Sequence, residues 1–197
     1  ERLYISSKGY SGDIIIHYFN SNDNFNLSGN MIFDDFNTFI TLHNYGLDSF
    51  SGNMEFHFQQ NSNTTKLSAN VNLNNGFFFN QNFNELQGNI LMKIYNGEYT
   101  VKSTGLLIGW EYAPYIWDST HFQIDYSDND LSYYKLQATT SVGDTLELDG
   151  ERDLNGNFYI SIFEGILKQT KFIIAPFYIS NKDDYFHFPE INAKLND

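Results

Sequence analysis

FSGNMEFHF, residues 50–58, decides the fold. Phe50, Gly52, Met54, Phe56 and Phe58 fall on one phase of a two-residue period, and Ser51, Asn53, Glu55 and His57 fall on the other. Side chains of an extended strand alternate between faces, so the pattern predicts an antiparallel strand buried on its apolar side only. The stretch has relatives along the chain. LSGNMIF (27–33), FSGNMEF (50–56), LQGNILM (86–92) and LNGNFYI (154–160) share an apolar residue, a small or amide polar one, Gly, Asn, then apolar-x-apolar. YSGDIII (10–16) and LSANVNL (67–73) are looser copies. Starts at 10, 27, 50, 67 and 86 lie 17, 23, 17 and 19 residues apart, a period that predicts a meander with two short strands and two turns per unit.

Outward from this stretch the alternation holds. Leu67, Ala69, Val71 and Leu73 share a phase, as do Leu86, Gly88, Ile90, Met92 and Ile94. Weaker strands are expected at 39–42, 77–79 and 99–102, with turns at Asn74-Asn75-Gly76 and Asn96-Gly97. Further strands are expected at 122–126, 134–142, 145–150, 158–163, 172–174 and 177–179, the last two flanking Pro176. LLIGWEYAPYIW (106–117) breaks the rhythm with Pro114 and both tryptophans. It is expected to be an irregular aromatic crossover near 106–120 inside a single segment, 1–197, and not a domain boundary. No window shows a 3.6-residue period, so helix is expected to be essentially nil.

The 197 residues suffice for a sizeable core, and an 18 % aromatic share led by 19 Phe and 14 Tyr is the palette of strands. A net charge of -13 sets the surface against a phosphate backbone, so no nucleic acid is expected, and no basic cluster is present to dock on an anionic membrane. With no cysteine, disulfides and cysteine-based metal sites are excluded. No run of eighteen apolar residues encodes a membrane-spanning helix. The start on Glu1 leads to the expectation of a segment of a longer protein whose signal or anchor lies elsewhere.

A one-sided apolar sheet without helices needs a cover. It folds over as a sandwich, closes as a barrel, or curls into a groove with apolar contents. A seven-residue strand is roughly 23 Å long, about the reach of one acyl chain and short for crossing a bilayer. The repeated Gly falls on the inward phase, where it would crease successive strands at one height or simply relieve crowding.

The recurring apolar-x-Gly-Asn-apolar-x-apolar strands, the period near twenty and LELDGERDLNGNFYISI (146–162) resemble the TamB/AsmA-like family of repeating β-groove proteins. The heavy use of Asn, Phe and Tyr departs from that pattern. The resemblance implies an all-β, elongated, curved antiparallel sheet folded into a hydrophobic, taco-like groove. It implies phospholipid transport toward the outer membrane, support of outer-membrane biogenesis, a periplasmic location, inner-membrane anchoring through other regions, and an outer-membrane barrel partner. Phospholipid acyl chains would then lie against Leu27, Met31, Phe33, Phe50, Met54, Phe56, Leu67, Val71, Leu73, Leu86, Ile90, Met92, Phe158 and Ile160.

Catalytic chemistry finds no motif. His17, His43, His57, His121 and His187 sit in no metal-ligand spacing, and there is no nucleophile elbow or phosphate-cradling loop. Asp125, Asp128 and Asp130 resemble the start of a calcium loop, yet Asp130 and Leu136 stand where Gly and Glu are required. Asp149, Glu151 and Asp153 alternate along a strand with Arg152 on the other side, and are expected to form either a solvated acidic face or a weak cation site. Trp110, Tyr112, Tyr115 and Trp117 form either a sugar-stacking platform or ordinary packing. A non-enzymatic segment without cofactor or metal is expected. The alternatives are a surface β-sandwich binding carbohydrate or protein, and a fragment of an outer-membrane barrel.

Overall fold

The computed structural model describes residues 2–7, 10–19, 24–33, 47–48, 50–78, 81–112, 115–182 and 185–196. The strands are β1 (Arg2–Ser7), β2 (Tyr10–Phe19), β3 (Asn24–Phe33), β4 (Leu47–Asp48), β5 (Ser51–Gln60), β6 (Thr64–Phe78), β7 (Gln81–Tyr95) and β8 (Glu98–Tyr112). They continue as β9 (Tyr115–Ser127), β10 (Ser132–Thr139), β11 (Thr145–Arg152), β12 (Phe158–Leu167), β13 (Thr170–Ile174), β14 (Phe177–Lys182), β15 (Tyr185–His187) and β16 (Ala193–Asn196). No helix interrupts them among the described residues. Thirteen form one antiparallel path, β1-β2-β3-β5-β6-β7-β8-β9-β10-β11-β12-β13-β16, curved and not closed. β4 sits beyond β5 along the far end of β6, β14 lies beside the first residues of β12, and β15 pairs with β14.

Each repeat copy supplies one strand, not the two expected. The copies beginning at 10, 27, 50, 67 and 86 lie on β2, β3, β5, β6 and β7 in turn. The reason is length: β6, β7 and β8 have 15 residues each, so each runs roughly 50 Å. One such strand and its turn consume the whole period. LNGNFYI departs from the set, because Leu154, Asn155 and Gly156 make the turn ahead of β12. Gly156 there has φ 82, a left-handed conformation that glycine adopts without strain.

The stretch expected to be irregular is strand on both sides of residues 113–114. Trp110 stands opposite Trp117, Glu111 opposite Ile116, and Tyr112 opposite Tyr115, so β8 and β9 form a long hairpin. Aromatic and β-branched side chains favour strands strongly enough to carry both arms to the tip. The expected strand at 39–42 lies outside the described residues.

Register aligns the apolar phase across the sheet. Met31, Met54, Val71, Gly88, Gly105 and Phe122 stand directly opposite one another on β3 and β5–β9. The row continues through Leu136, Leu148, Phe163, Ile174 and Ala193 on β10–β13 and β16. A parallel row carries Phe33, Gly52, Leu73, Leu86, Leu107, Thr120, Ala138, Leu146, Gly165 and Phe172. An extra residue in β12 shifts register between Asp149 and Gly150. This bulge brings Ile160 and Phe163, an odd number apart, to the same face.

The repeat glycines do not share a height. Gly29 pairs with Phe56, Gly52 with Phe33 and Leu73, and Gly88 with Val71, which places them in three different rows. Glycines elsewhere make room for rings. A Cβ on Gly76 would come within 2.6 Å of the Phe83 ring, and one on Gly165 within 3.0 Å of the Phe172 ring. At Gly105 a Cβ would overlap the Phe122 ring and approach the Gln87 carbonyl oxygen at 2.8 Å. Relief of crowding is therefore what these positions require. Because the carbonyl belongs to the ladder and cannot turn aside, Gly105→Ala is expected to destabilise the chain by about 1–3 kcal/mol, read by urea unfolding. An unchanged midpoint would mean that β8 shifts to admit the methyl group.

Candidate functional site

The candidate site is the apolar face itself. At one end it is a closed core. Phe33, Phe50, Leu73, Phe83 and Leu107 are buried together, with Phe33 and Phe50 edge-to-face at 5.4 Å. Met31, Met54, Val71, Leu86, Trp110 and Phe122 pack against this cluster and remain partly exposed. Toward the opposite ends of the strands the face opens. Leu27, Phe56, Phe58, Leu67 and Met92 are half-buried, and Ile90 is 37 % exposed.

The surface area of the chain is large for its size. The chain exposes 12,903 Å², whereas a globular monomer of 22.9 kDa exposes about 9,600 Å². An excess of this kind is expected of an extended sheet, which has more surface for its mass than a globule.

Every expected lining residue lies on this face, although the structure divides them. Met31, Met54, Phe56, Leu67, Val71, Leu86, Ile90, Met92 and Leu27 line its accessible part. Phe33, Phe50 and Leu73 are core packing, and Ile160 is likewise buried. Phe158 is half-buried near Tyr134 and Phe186, with ring centroids 5.9 and 5.8 Å away. Sequence reasoning missed Val101, Phe122, Ile124, Leu136, Leu148 and Phe163, which continue the same rows. The available signal was the two-residue phase of β8–β11, which carries no Gly-Asn marker.

The reverse face is polar. Lys102 reaches Asp125 at 2.6 Å, and Lys135 bridges Glu147 at 3.0 Å and Asp149 at 3.2 Å. Hydrogen bonds to Glu147 and then Asp149 hold the Lys135 ammonium above its usual range, while Lys135 and then Gln137 hold the Glu147 carboxyl below its own. These pairs face water and add little stability. A shallow depression of about 510 Å³ lies on this side, lined by amides including Asn70, Gln87, Asn89 and Gln123.

The acidic candidates separate. Asp125 faces Lys102, Asp128 accepts the Tyr99 N–H at 3.1 Å, and Asp130 accepts the Leu131 N–H at 2.8 Å. Among the described residues no group of three His, Cys, Asp or Glu is arranged to hold a metal. His57, His121 and His187 are exposed; His43 lies outside the described residues. Trp117 is buried, Trp110 packs on the core, and Tyr115 stacks on Trp117 at 5.6 Å, so the described aromatics of that stretch are packing.

Asp153 organises the β11–β12 turn. Its Oδ1 accepts the N–H groups of Asn155 and Asn157 at 2.8 and 2.9 Å, and its Oδ2 accepts the Asn157 amide at 2.8 Å. The Asn157 side chain first, then the backbone donors, depress its carboxyl below the usual range. A depressed folded-state pKa contributes stability that is complete above the unfolded value, about 3.9, and is lost as pH falls through the folded value. Asp153→Ala is expected to cost about 1 kcal/mol at neutral pH in urea unfolding, the modest figure reflecting a solvent-facing turn. The gap from the wild-type chain should close progressively below the ordinary carboxylate range. A gap constant down to the acid limit would assign the cost to turn shape and not to the carboxylate.

Face, register and open edges together define a single-layer antiparallel meander with one apolar and one polar side. No protein-family model, curated protein or solved structure matches the chain.

Proposed function

We propose that this chain is a segment of an envelope-spanning β-groove protein that conducts phospholipids toward the outer membrane. In this reading it lies in the periplasm, is anchored in the inner membrane through other regions, meets a barrel partner at the outer membrane, and supports outer-membrane biogenesis. The supporting observation is the apolar row from Met31 to Ala193, which crosses eleven strands without a charged residue and stays partly exposed. Acyl chains laid on it would remove apolar surface from water, worth roughly 25 cal/mol per Å². Met31 and Met54, opposed at its start, present pliable thioethers suited to irregular hydrocarbon. The resemblance of the repeats to β-groove proteins supports the same cargo.

The test places a photo-crosslinking residue at Met54 and, separately, at Glu55 in the full-length protein in cells. Lipid adducts at Met54 with none at Glu55 are expected, since the two side chains face opposite sides. Adducts at neither, in a folded and abundant protein, would overturn the conduit.

Strand length favours one competitor. The 15 residues of β6, β7 and β8 exceed the nine to eleven or so that a tilted transmembrane strand needs. The short strands expected from the repeat argued against a membrane barrel, and the observed ones do not. The purified chain is expected to stay soluble and monodisperse without detergent, as judged by sedimentation. A strict detergent requirement would instead support the barrel.

A further inference from the structure

Along β10–β12 the apolar phase carries one charged residue, Arg152, at the end of β11. It stands opposite Ser132 on one side and Phe158 on the other. Its guanidinium lies over the Tyr126 ring, 5.9 Å from the centroid. Tyr126 stacks on Tyr99 at 5.5 Å, and their hydroxyls approach to 3.4 Å. Tyr134, next along the apolar phase of β10, is close enough for the positive charge of Arg152 to favour its ionised form, although burial outweighs this and raises its pKa.

Among the described residues no carboxylate forms an ion pair with Arg152, although its charge helps to depress the Asp153 carboxyl. The ion pairs of the polar face are Lys102 with Asp125 and Lys135 with Glu147 and Asp149. Neighbouring Asp153 is turned to Asn155 and Asn157. A half-buried guanidinium beside apolar surface, with only a turn carboxylate nearby that is already held by other donors, is stabilised further when an anion completes it. Its fork of donors, beside tyrosine hydroxyls, matches the oxygens of a phosphate. From Arg152 the apolar phase of β11 runs back through Gly150, Leu148 and Leu146. That is roughly 20 Å of strand, longer than the ~15 Å of hydrocarbon in one bilayer leaflet.

We infer that Arg152, with Tyr126 and Tyr99 beside it, anchors the phosphate headgroup of an acyl amphiphile whose chain lies along β10–β12. The site rests on the acyl-binding reading above and deepens it by giving the cargo a polarity and an orientation. The chain enters with its tail toward Leu146 and its headgroup at the tyrosine-rich end.

The experiment measures binding of dodecyl phosphate, dodecanol and inorganic phosphate to the purified full chain by titration calorimetry, below micelle-forming concentrations. Dodecyl phosphate is expected to bind at least tenfold more tightly than dodecanol. In Arg152→Gln the two affinities should converge, with dodecanol unchanged, and Arg152→Lys should restore part of the preference. Dodecanol binding with no gain from the phosphate, or a preference that survives in Arg152→Gln, overturns the anchor and leaves the acyl reading intact. Inorganic phosphate binding as tightly as dodecyl phosphate also overturns it, since the site would then be a plain anion site. Failure of both alkyl probes to bind overturns the anchor together with the acyl-binding reading.

Discussion

Met31, Met54 and Val71 stand directly opposite one another because their strands pair without slippage, and every other apolar contact of the sheet inherits that alignment. Side chains alternate with a period of two, so a slip of one residue in any strand would turn its whole apolar set to the polar side. The long pairings make such a slip improbable: fourteen residue pairs join β6 to β7, and all would have to re-form in the wrong phase. Where the spacing does change, at the extra residue of β12, the bulge keeps apolar side chains on the face from which they would otherwise depart.

Cohesion comes from two unequal sources. The backbone ladder and its cross-strand pairs run through the whole sheet, each apolar or aromatic pair worth a few tenths of a kcal/mol to about 1 kcal/mol. The buried cluster of Phe33, Phe50, Leu73, Phe83 and Leu107 adds a conventional core at one end. Away from that end many of the apolar side chains, among them Phe56, Leu67, Met92, Leu136 and Leu148, are only partly buried. The same residues therefore stabilise the sheet only in part and retain free apolar surface for a ligand.

The β character, the antiparallel pairing and the identity of the apolar face were all legible in the alternation around Met54 and Val71. Strand length was not, because a seven-residue motif marks only the part of a strand that bears its signature. Thr64–Phe78 extends well beyond LSANVNL, straight through Asn74-Asn75-Gly76, where a turn was expected. The aromatic run at 106–117 was misjudged since Pro114 and the tryptophans signal irregularity locally, whereas the pairing of Trp110 with Trp117 depends on the partner strand. The division of the face into core and open surface was also invisible. Phe50 and Phe56 belong to one alternating phase, and only the packing of Phe33 and Phe83 near the former distinguishes them. Arg152 was legible as a residue on the opposite side from Asp149 and Glu151, but not as a charge at the end of the apolar phase that β10–β12 share.

Nearly every strand of the main path is laid down beside the one made just before it. Contacts are therefore close in sequence, which is unusual for an all-β chain and favours rapid folding. A newly made hairpin needs only the existing edge as its template, so structure can accumulate from one terminus as the polypeptide emerges, without waiting for the last residue. The same arrangement makes damage local. A fault in one turn disturbs its two flanking strands and leaves distant ones standing, so this chain is expected to lose its structure in stages, as a fabric unravels, more readily than in a single cooperative collapse.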